Sequence, residues 1–281
     1  MPSIFEALRE YLPDKTILDQ HPPFDGDLSQ PLFHKGNAVG CITLHGIGGT
    51  PANIRVVADA LIGRGYTVLS PMIPGHGETV RAQNASTGRQ WPEGVRAAYR
   101  RLKEDEGCEQ IYALGLSLGG VLCGLLAEET HLDGLALICT PIKMKRYLRI
   151  ARALSPVLPV VGYPESRGGK PAWGDNPYGQ MYGGLSTKKL VDLSRLARKL
   201  KRNLSKIDCP TLIVSAAQDD KVDPKSIAIF CSGLVNVPGV DLAEFDHSPH
   251  GCTYGPEKEL VAQRCADFVA GLVDNHTAAS V

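Results

Sequence analysis

Residues 114–120 read LGLSLGG and directly follow the apolar run IYA of residues 111–113. A serine inside a buried strand gains nothing from such small neighbours. A serine on a very sharp strand-to-helix turn needs them, because larger side chains would collide there. The pattern Gly115-x-Ser117-x-Gly119 therefore predicts a Ser117 hydroxyl that projects from the end of a strand. Such a hydroxyl still needs a base, an acid and hydrogen-bond donors from elsewhere in the chain.

The composition is that of an ordinary globular protein. The 281 residues are 43% hydrophobic, and thirty basic residues balance thirty acidic ones, so nucleic acid is not expected as a partner. The N-terminus carries acidic residues and no apolar core, which argues against a secretory signal, and no apolar stretch is long enough to span a bilayer. The eight cysteines show no Cys-x-x-Cys pair and no metal-ligand spacing. We expect a reduced, cytoplasmic setting without a metal or organic cofactor.

Apolar runs of strand length alternate with helical segments through most of the chain. The pattern predicts strands at 38–44, 66–70, 110–114, 135–139, 211–215 and 240–245 and helices at 51–62, 93–103, 118–129, 224–230 and 260–273. Such an alternation indicates an α/β fold with a mainly parallel central sheet and helices on both faces.

Residues 141–206 interrupt this alternation. Apolar residues recur at helical spacing near both ends of the segment, which predicts a helical lid inserted between core segments 1–140 and 207–281. The segment holds 15 basic and 3 acidic residues, a formal charge of +12 that the rest of the neutral chain balances. We interpret this excess as the solvated faces of amphipathic helices on an acidic body. The alternative is a surface that attracts anionic membranes or substrates.

Two histidines directly follow the last predicted strand, in the stretch DHSPHG of residues 246–251. Because parallel strands end at the same edge of the sheet, this loop should emerge beside Ser117. Either His247, which is closer to the strand, or His250, which is deeper in the loop, can serve as the base. We favour His250.

Three acidic residues follow the penultimate strand, at positions 219, 220 and 223. Asp223 directly precedes Pro224 and a predicted helix, so we expect it to cap that helix. Asp219 or Asp220 then orients the histidine. The resulting order of serine, acid and histidine is the one expected for a triad on such a sheet.

Acyl transfer also requires hydrogen-bond donors for the oxyanion. The residue after the serine, Leu118, supplies one backbone N–H. The Gly-rich loop after the first strand supplies the second, for which the N–H of Ile47 is the best candidate. His45 of the same loop is expected to brace it through hydrogen bonds rather than to take part in catalysis.

The chain resembles the α/β-hydrolase family, and within it the bacterial carboxylesterases and monoacylglycerol lipases. The resemblance is carried by LHGIGGTP (44–51), PGHG (74–77), GLSLGG (115–120), QDDKVDP (218–224) and HSPHG (247–251). It implies an α/β-hydrolase fold in which the helical insertion occupies the position of the family's lid. The family's D-x-x-[VI]-x-P and S-x-H patterns imply Asp219 as the acid and His250 as the base, and its H-G motif implies Ile47 in the oxyanion hole.

Together these features predict a serine esterase that cleaves small-molecule carboxylic esters through an acyl-enzyme. Ser117, His250 and Asp219 form the expected triad, and Met144, Tyr147, Leu148 and Met181 are expected to line the acyl pocket. A thioesterase or acyltransferase, or a peptidase of the same fold, would use the same triad, and a non-catalytic binding protein would retain the fold. The oligomeric state is not encoded in any motif.

Overall fold

The protein is described by a computed structural model over residues 26–153, 155–156, 160–162 and 175–279. Seven strands of this part of the chain form one sheet in the order β1-β3-β2-β4-β5-β8-β9. They are β1 (Leu32–His34), β2 (Val39–Leu44), β3 (Thr67–Ser70), β4 (Gln110–Leu116), β5 (Gly134–Ile138), β8 (Thr211–Ala216) and β9 (Val240–Phe245). Strands β2, β3, β4, β5, β8 and β9 run parallel to their neighbours, and β1 pairs antiparallel with β3 at one edge.

Helices cover both faces of the sheet. They are α1 (Gly26–Ser29), α2 (Arg55–Ile62), α3 (Val80–Ala85), α4 (Gln90–Arg100), α5 (Leu118–Ala127), α6 (Arg146–Ala153), α7 (Thr187–Asn203), α8 (Lys225–Gly233) and α9 (Lys258–Ala279). Apolar residues of α4, α5, α7 and α8 form one core with the sheet, and those of α2 and α9 form the other. Along β2, Ile42 enters the first core and Cys41 the second, because successive side chains of a strand point to opposite faces.

Two helices and a small hairpin occupy the described part of segment 141–206. The hairpin pairs β6 (Val160–Gly162) with β7 (Gly184–Ser186). Helix α7 packs on α5, and Leu190, Leu193 and Leu200 belong to the main core cluster. The segment is therefore not only a cover over the sheet, since one of its helices contributes to the principal hydrophobic core. The predicted domain boundaries remain a prediction.

The predicted fold class is confirmed: the sheet is mainly parallel and helices cover both faces. Five of the described helices and strands were not predicted: α1, β1, α3 and the hairpin strands β6 and β7. Strand β1 has three residues that are half-buried or exposed, so it lacks the apolar run by which a buried strand is recognised. Helix α3 has only six residues, too few to show a helical period, and depends on Thr79, whose hydroxyl accepts from the Ala82 N–H. Among the described residues, no helix is both long and apolar enough to cross a membrane.

The turn between β4 and α5 leaves no room for an added side chain at Gly119. A Cβ atom there would lie 2.3 Å from the Leu44 carbonyl oxygen, a backbone atom that cannot move aside without shifting β2. We expect Gly119→Ala to lower the free energy of unfolding by at least about 2 kcal/mol, measured by urea denaturation. The matched control is Gly271→Ala in α9, where a Cβ meets no atom within 4 Å. That change should raise stability by about 0.5–1 kcal/mol; equal effects of the two substitutions would contradict the packing argument.

Candidate active site

Ser117 occupies a strained backbone conformation on the turn from β4 to α5. Its φ of 54° and ψ of −112° lie where residues with a side chain are rare, at a cost of about 1–3 kcal/mol. The Ser117 N–H donates to the Ile138 carbonyl at 2.8 Å, which ties the turn to the neighbouring strand β5. The side chain is buried except where it borders a cavity. The fold therefore holds the Ser117 hydroxyl at the end of the sheet, beside the first turn of α5.

His250 lies between Ser117 and Asp219. Its Nε2 atom is 3.0 Å from Ser117 Oγ, and its Nδ1 atom is 2.8 Å from Asp219 Oδ2. Because an ionised carboxylate can only accept, Nδ1 carries the proton and Nε2 accepts from the hydroxyl. His247 is exposed instead, and its backbone N–H donates to the Glu257 carboxylate at 2.9 Å. Of the two candidate histidines, only His250 reaches the serine.

The two adjacent aspartates have different surroundings. Asp219 Oδ1 accepts the backbone N–H groups of Lys221 and Val222 at 2.7 and 2.9 Å, while Oδ2 faces His250. Burial alone would raise the pKa of Asp219, but the charge of His250 and these hydrogen bonds outweigh it and hold that pKa below its ordinary value. Asp220 is exposed and pairs with the Lys221 ammonium at 2.6 Å. The geometry brings Asp219, and not Asp220, to the histidine.

The two backbone N–H groups that are predicted to form the oxyanion hole belong to Leu118 and Ile47. Leu118 is the first residue of α5, so its N–H has no carbonyl of a preceding helical turn to bind. Ile47 lies in the loop after β2 and lines the same cavity as Ser117. The positive end of the α5 dipole adds to these donors. This side of the cavity is therefore suited to negative charge.

Two buried histidines connect the loop that carries Ile47 to the segment after β3, His45 directly and His76 through Ile73. His45 Nδ1–H donates to the Gly46 carbonyl at 2.8 Å, and His45 Nε2 accepts the Ile73 N–H at 3.0 Å. His76 Nδ1–H donates to the Ile73 carbonyl at 3.2 Å, and its Nε2 accepts from the Gln83 amide at 2.8 Å. Each ring is thus fixed as the neutral Nδ1–H tautomer. The bracing expected of His45 is present, whereas His76 and Gln83 were not singled out from the sequence.

A cavity of about 390 Å³ opens beside Ser117 and His250. Three of the four predicted pocket residues, Met144, Leu148 and Met181, line it. The side chain of Tyr147 lies outside the described part of the structure. Further apolar side chains in the wall come from β7 and α7, namely Leu185, Leu190 and Leu193. The cavity is therefore a largely apolar space that ends at the serine hydroxyl.

Hydrogen bonds connect segment 141–206 to the three loops that surround Ser117. They run from Lys145 N–H to Lys221 O (2.9 Å), from Tyr182 N–H to Gly48 O (2.9 Å) and from Asn176 Nδ2 to Tyr254 O (2.7 Å). A fourth contact comes from the buried Asn53, whose amide donates to the Tyr178 and Gln180 carbonyls. No motif marks Asn53, because its partners are main-chain atoms more than a hundred residues away. The insertion thus takes part in fixing the loops of the site.

A protein-family model for the serine aminopeptidases S33 matches residues 37–253. The chain belongs to this family. It is 28% identical over 262 residues to a thermostable monoacylglycerol lipase of Bacillus sp. (strain H-257), over 90% of this chain and 98% of that relative. It is also 28% identical over 250 residues to a carboxylesterase of Bacillus subtilis (strain 168), covering 86% and 97% of the two chains.

Solved structures show the same architecture. The structure reported for LipS and LipT, two metagenome-derived lipolytic enzymes, superposes with a TM-score of 0.75 at 27% identity, over 90% of this chain and all of that chain. A monoacylglycerol lipase of Paleococcus ferrophilus superposes with a TM-score of 0.69 at 17% identity, over 87% and 98% of the two chains. The predicted α/β-hydrolase of esterase and lipase type is confirmed by these relatives together with the family match.

The buried histidines make stability depend on pH. Burial lowers the pKa of His45 to about 4, and burial together with the charge of His45 lowers the pKa of His76 to about 3. Since the unfolded chain binds these protons near pH 6.5, acidification favours unfolding. Between about pH 6.5 and about pH 4, each histidine should cost about 1.4 kcal/mol of unfolding free energy per pH unit.

The substitution His76→Gln keeps a hydrogen-bond donor and an acceptor. It should reduce the slope of unfolding free energy against pH by the contribution of one histidine, as measured by urea denaturation at several pH values. His131→Gln, at a largely exposed side chain, is the control and should leave the slope unchanged. An unaltered slope in the His76 variant would show that His76 is protonated in the folded protein.

Proposed function

We propose that the protein is a serine esterase that hydrolyses carboxylic esters through an acyl-enzyme on Ser117. The observation that carries the proposal is the unbroken chain of contacts from Ser117 Oγ to His250 Nε2 at 3.0 Å and from His250 Nδ1 to Asp219 Oδ2 at 2.8 Å. A serine hydroxyl is a weak nucleophile unless an adjacent base removes its proton. These contacts supply that base and hold it in the required tautomer.

In the first step Ser117 Oγ attacks the ester carbonyl carbon while its proton moves to His250 Nε2. The imidazolium that forms is stabilised by the charge of Asp219. When the tetrahedral intermediate collapses, Nε2–H protonates the leaving alcohol and the acyl group stays on Ser117. A water molecule then attacks the acyl-enzyme with His250 again as the base, which releases the acid and restores the hydroxyl.

The N–H groups of Ile47 and Leu118 bind the negative oxygen of each tetrahedral intermediate. One such donor contributes about 10²–10³ to kcat in enzymes that use an oxyanion hole. The neutral braces His45 and His76 keep the Ile47 loop in place without placing a second charge beside the oxyanion. The positioned donors require no metal or organic cofactor for this chemistry.

The acyl chain of the ester occupies the apolar cavity under segment 141–206, which acts as the lid. Each methylene buried there contributes about 0.8 kcal/mol, so longer acyl chains bind better until the cavity is filled. The family name and the relatives raise two substrate classes, amides and esters. In the described wall the one carboxylate, Asp220, already pairs with Lys221, which leaves no free acid for the amino group of a peptide. This favours esters, acylglycerols among them.

The proposal also covers the cellular location of the enzyme and its contact with membranes. The eight free cysteines fit a reducing cytoplasm. Ion pairs such as Lys199–Glu129 and Lys143–Asp223 neutralise part of the excess positive charge of the lid. This favours the interpretation of the basic residues as solvated helix faces over that of a membrane-binding surface.

Replacing the nucleophile tests the mechanism directly. Ser117→Ala should lower kcat for p-nitrophenyl esters and monoacylglycerols by about 10⁶-fold and should abolish labelling by a fluorophosphonate. Circular dichroism should show an unchanged fold, because the substitution removes only one oxygen atom. The wild-type enzyme should cleave an ester faster than the amide of the same acyl group. Labelling that survives in the variant, or a preference for the amide, would refute the proposal.

The neighbouring aspartates provide a matched pair of variants. Asp219→Asn should lower kcat by about 10⁴-fold, because an amide opposite Nδ1 stabilises the wrong tautomer of His250. Asp220→Asn makes the same chemical change one residue away and should alter kcat less than about threefold, since the exposed carboxylate pairs with Lys221 rather than with His250. Comparable losses in the two variants would mean that Asp219 is not the acid of the triad. Steady-state kinetics on one soluble ester suffices for this comparison.

A further inference from the structure

Two thiols meet directly behind the Asp219–His250 pair. Cys139 follows β5, Cys252 lies two residues beyond His250, and their sulfur atoms are 3.6 Å apart. Both are buried. Apart from Ser117, Cys139 is the one residue with a side chain and a positive φ (42°) in the described part of the chain. Strained residues of this kind cluster at functional sites.

The thiols extend into the triad. One ligand atom each from Cys139, Asp219 and His250 lie within 4.8 Å of one another, and Cys252 adjoins Cys139. Zn²⁺ binds sulfur at about 2.3 Å and nitrogen or oxygen at about 2.0–2.2 Å, so its tetrahedral ligand atoms are roughly 3.3–3.8 Å apart. The sulfur–sulfur distance already falls in this range. Completing a Cys₂-Asp-His set requires Asp219 Oδ2 and His250 Nδ1, which are 2.8 Å apart, to separate by roughly 0.5 Å around the ion.

A second cavity gives access to this set from outside. It has a volume of about 100 Å³, borders Cys139 and Asp219, and shares no lining residue with the substrate cavity. Two further carboxylates line it: Asp223, which is paired with Lys143, and Glu244, which attracts cations and is opposed by Lys145. An ion can therefore approach the rear of the triad without passing the ester.

We propose that this cluster binds a thiophilic divalent cation, with Zn²⁺ as the type, and that the bound ion inhibits the enzyme. The ligands are the two thiolates, an Asp219 oxygen and His250 Nδ1. The two thiols release their protons to water, and the Nδ1 proton of His250 moves to Nε2. A neutral imidazole that carries its proton on Nε2 has no lone pair there to accept the Ser117 proton. Attack on the ester therefore stops, while the substrate cavity stays open.

The inhibitory half of this inference rests on the proposed function, whereas ion binding does not. Binding is therefore measured separately, by titrating the metal-free protein with Co²⁺ and recording the thiolate-to-cobalt charge-transfer absorption. The wild type should show this absorption with one ion bound per chain. Cys139→Ala and Cys252→Ala should each weaken binding at least about tenfold. Cys231→Ser, at an exposed cysteine, is the matched control and should bind as the wild type does.

Inhibition is measured with Zn²⁺ on a soluble ester, each variant being compared with itself in the presence of a chelator. In the wild type, Zn²⁺ should lower kcat with little change in KM and should block fluorophosphonate labelling, and the chelator should reverse both effects. The cysteine variants should need at least about tenfold more Zn²⁺ for half inhibition. His276→Ala removes a surface ring that faces Asp133 and should leave inhibition unchanged.

The two measurements separate the possible failures. Absence of the thiolate absorption in the wild type, or its persistence in both cysteine variants, overturns the metal site whatever the activity. Thiolate absorption without loss of activity overturns the inhibitory role. If the cysteine variants do not fold, the kinetics of the wild type still test the location of the ion. Inhibition that raises KM and leaves kcat unchanged would place the ion in the substrate cavity and overturn the proposed site.

Discussion

The site depends on one backbone constraint, the sharp turn that carries Ser117 from β4 into α5. The turn holds a serine at positive φ and brings Gly119 against the Leu44 carbonyl, so that the start of α5 is in contact with the end of β2. This one geometry turns the hydroxyl towards the cavity, places it beside the N-terminus of α5 and fixes its position relative to Ile47, which we propose as the second oxyanion donor. Larger residues at this turn would move the Ser117 hydroxyl, the N-terminus of α5 and the Ile47 loop apart from one another.

The remaining groups reach Ser117 because neighbouring loops are held by buried polar contacts. Neutral His45 ties the loop after β2 to Ile73, which His76 also holds, and two backbone N–H groups hold the carboxylate of Asp219. Segment 141–206 adds hydrogen bonds to each of the loops around the serine. The lid that we propose is therefore also a scaffold, and movements that open it must preserve or break these contacts. An apolar cavity of about 390 Å³ is maintained between scaffold and sheet.

The same crowding that orders the proposed triad also places Cys139 and Cys252 beside it. Asp219 is needed by His250 for orientation, yet its carboxylate and the imidazole are ligands that Zn²⁺ accepts. The proposed catalytic pair and the proposed metal site therefore compete for the same two side chains. The cysteines are 113 residues apart, so their contact is a consequence of β5 and the histidine loop ending at one edge of the sheet.

The sequence by itself determined the fold class, the order of most strands and helices, and the short set of residues from which a triad could be built. These features are local: an apolar run, a helical period or a glycine-flanked serine is visible without knowledge of distant contacts. The choice between Asp219 and Asp220 needed the family resemblance, and only the tertiary structure shows the first facing His250 and the second facing Lys221. Likewise, β1, α3, the His76 brace, Asn53 and the cysteine pair follow from contacts across the sheet edge and the insertion. Their partners are remote in the chain and often main-chain atoms, which leave no pattern in the residues themselves.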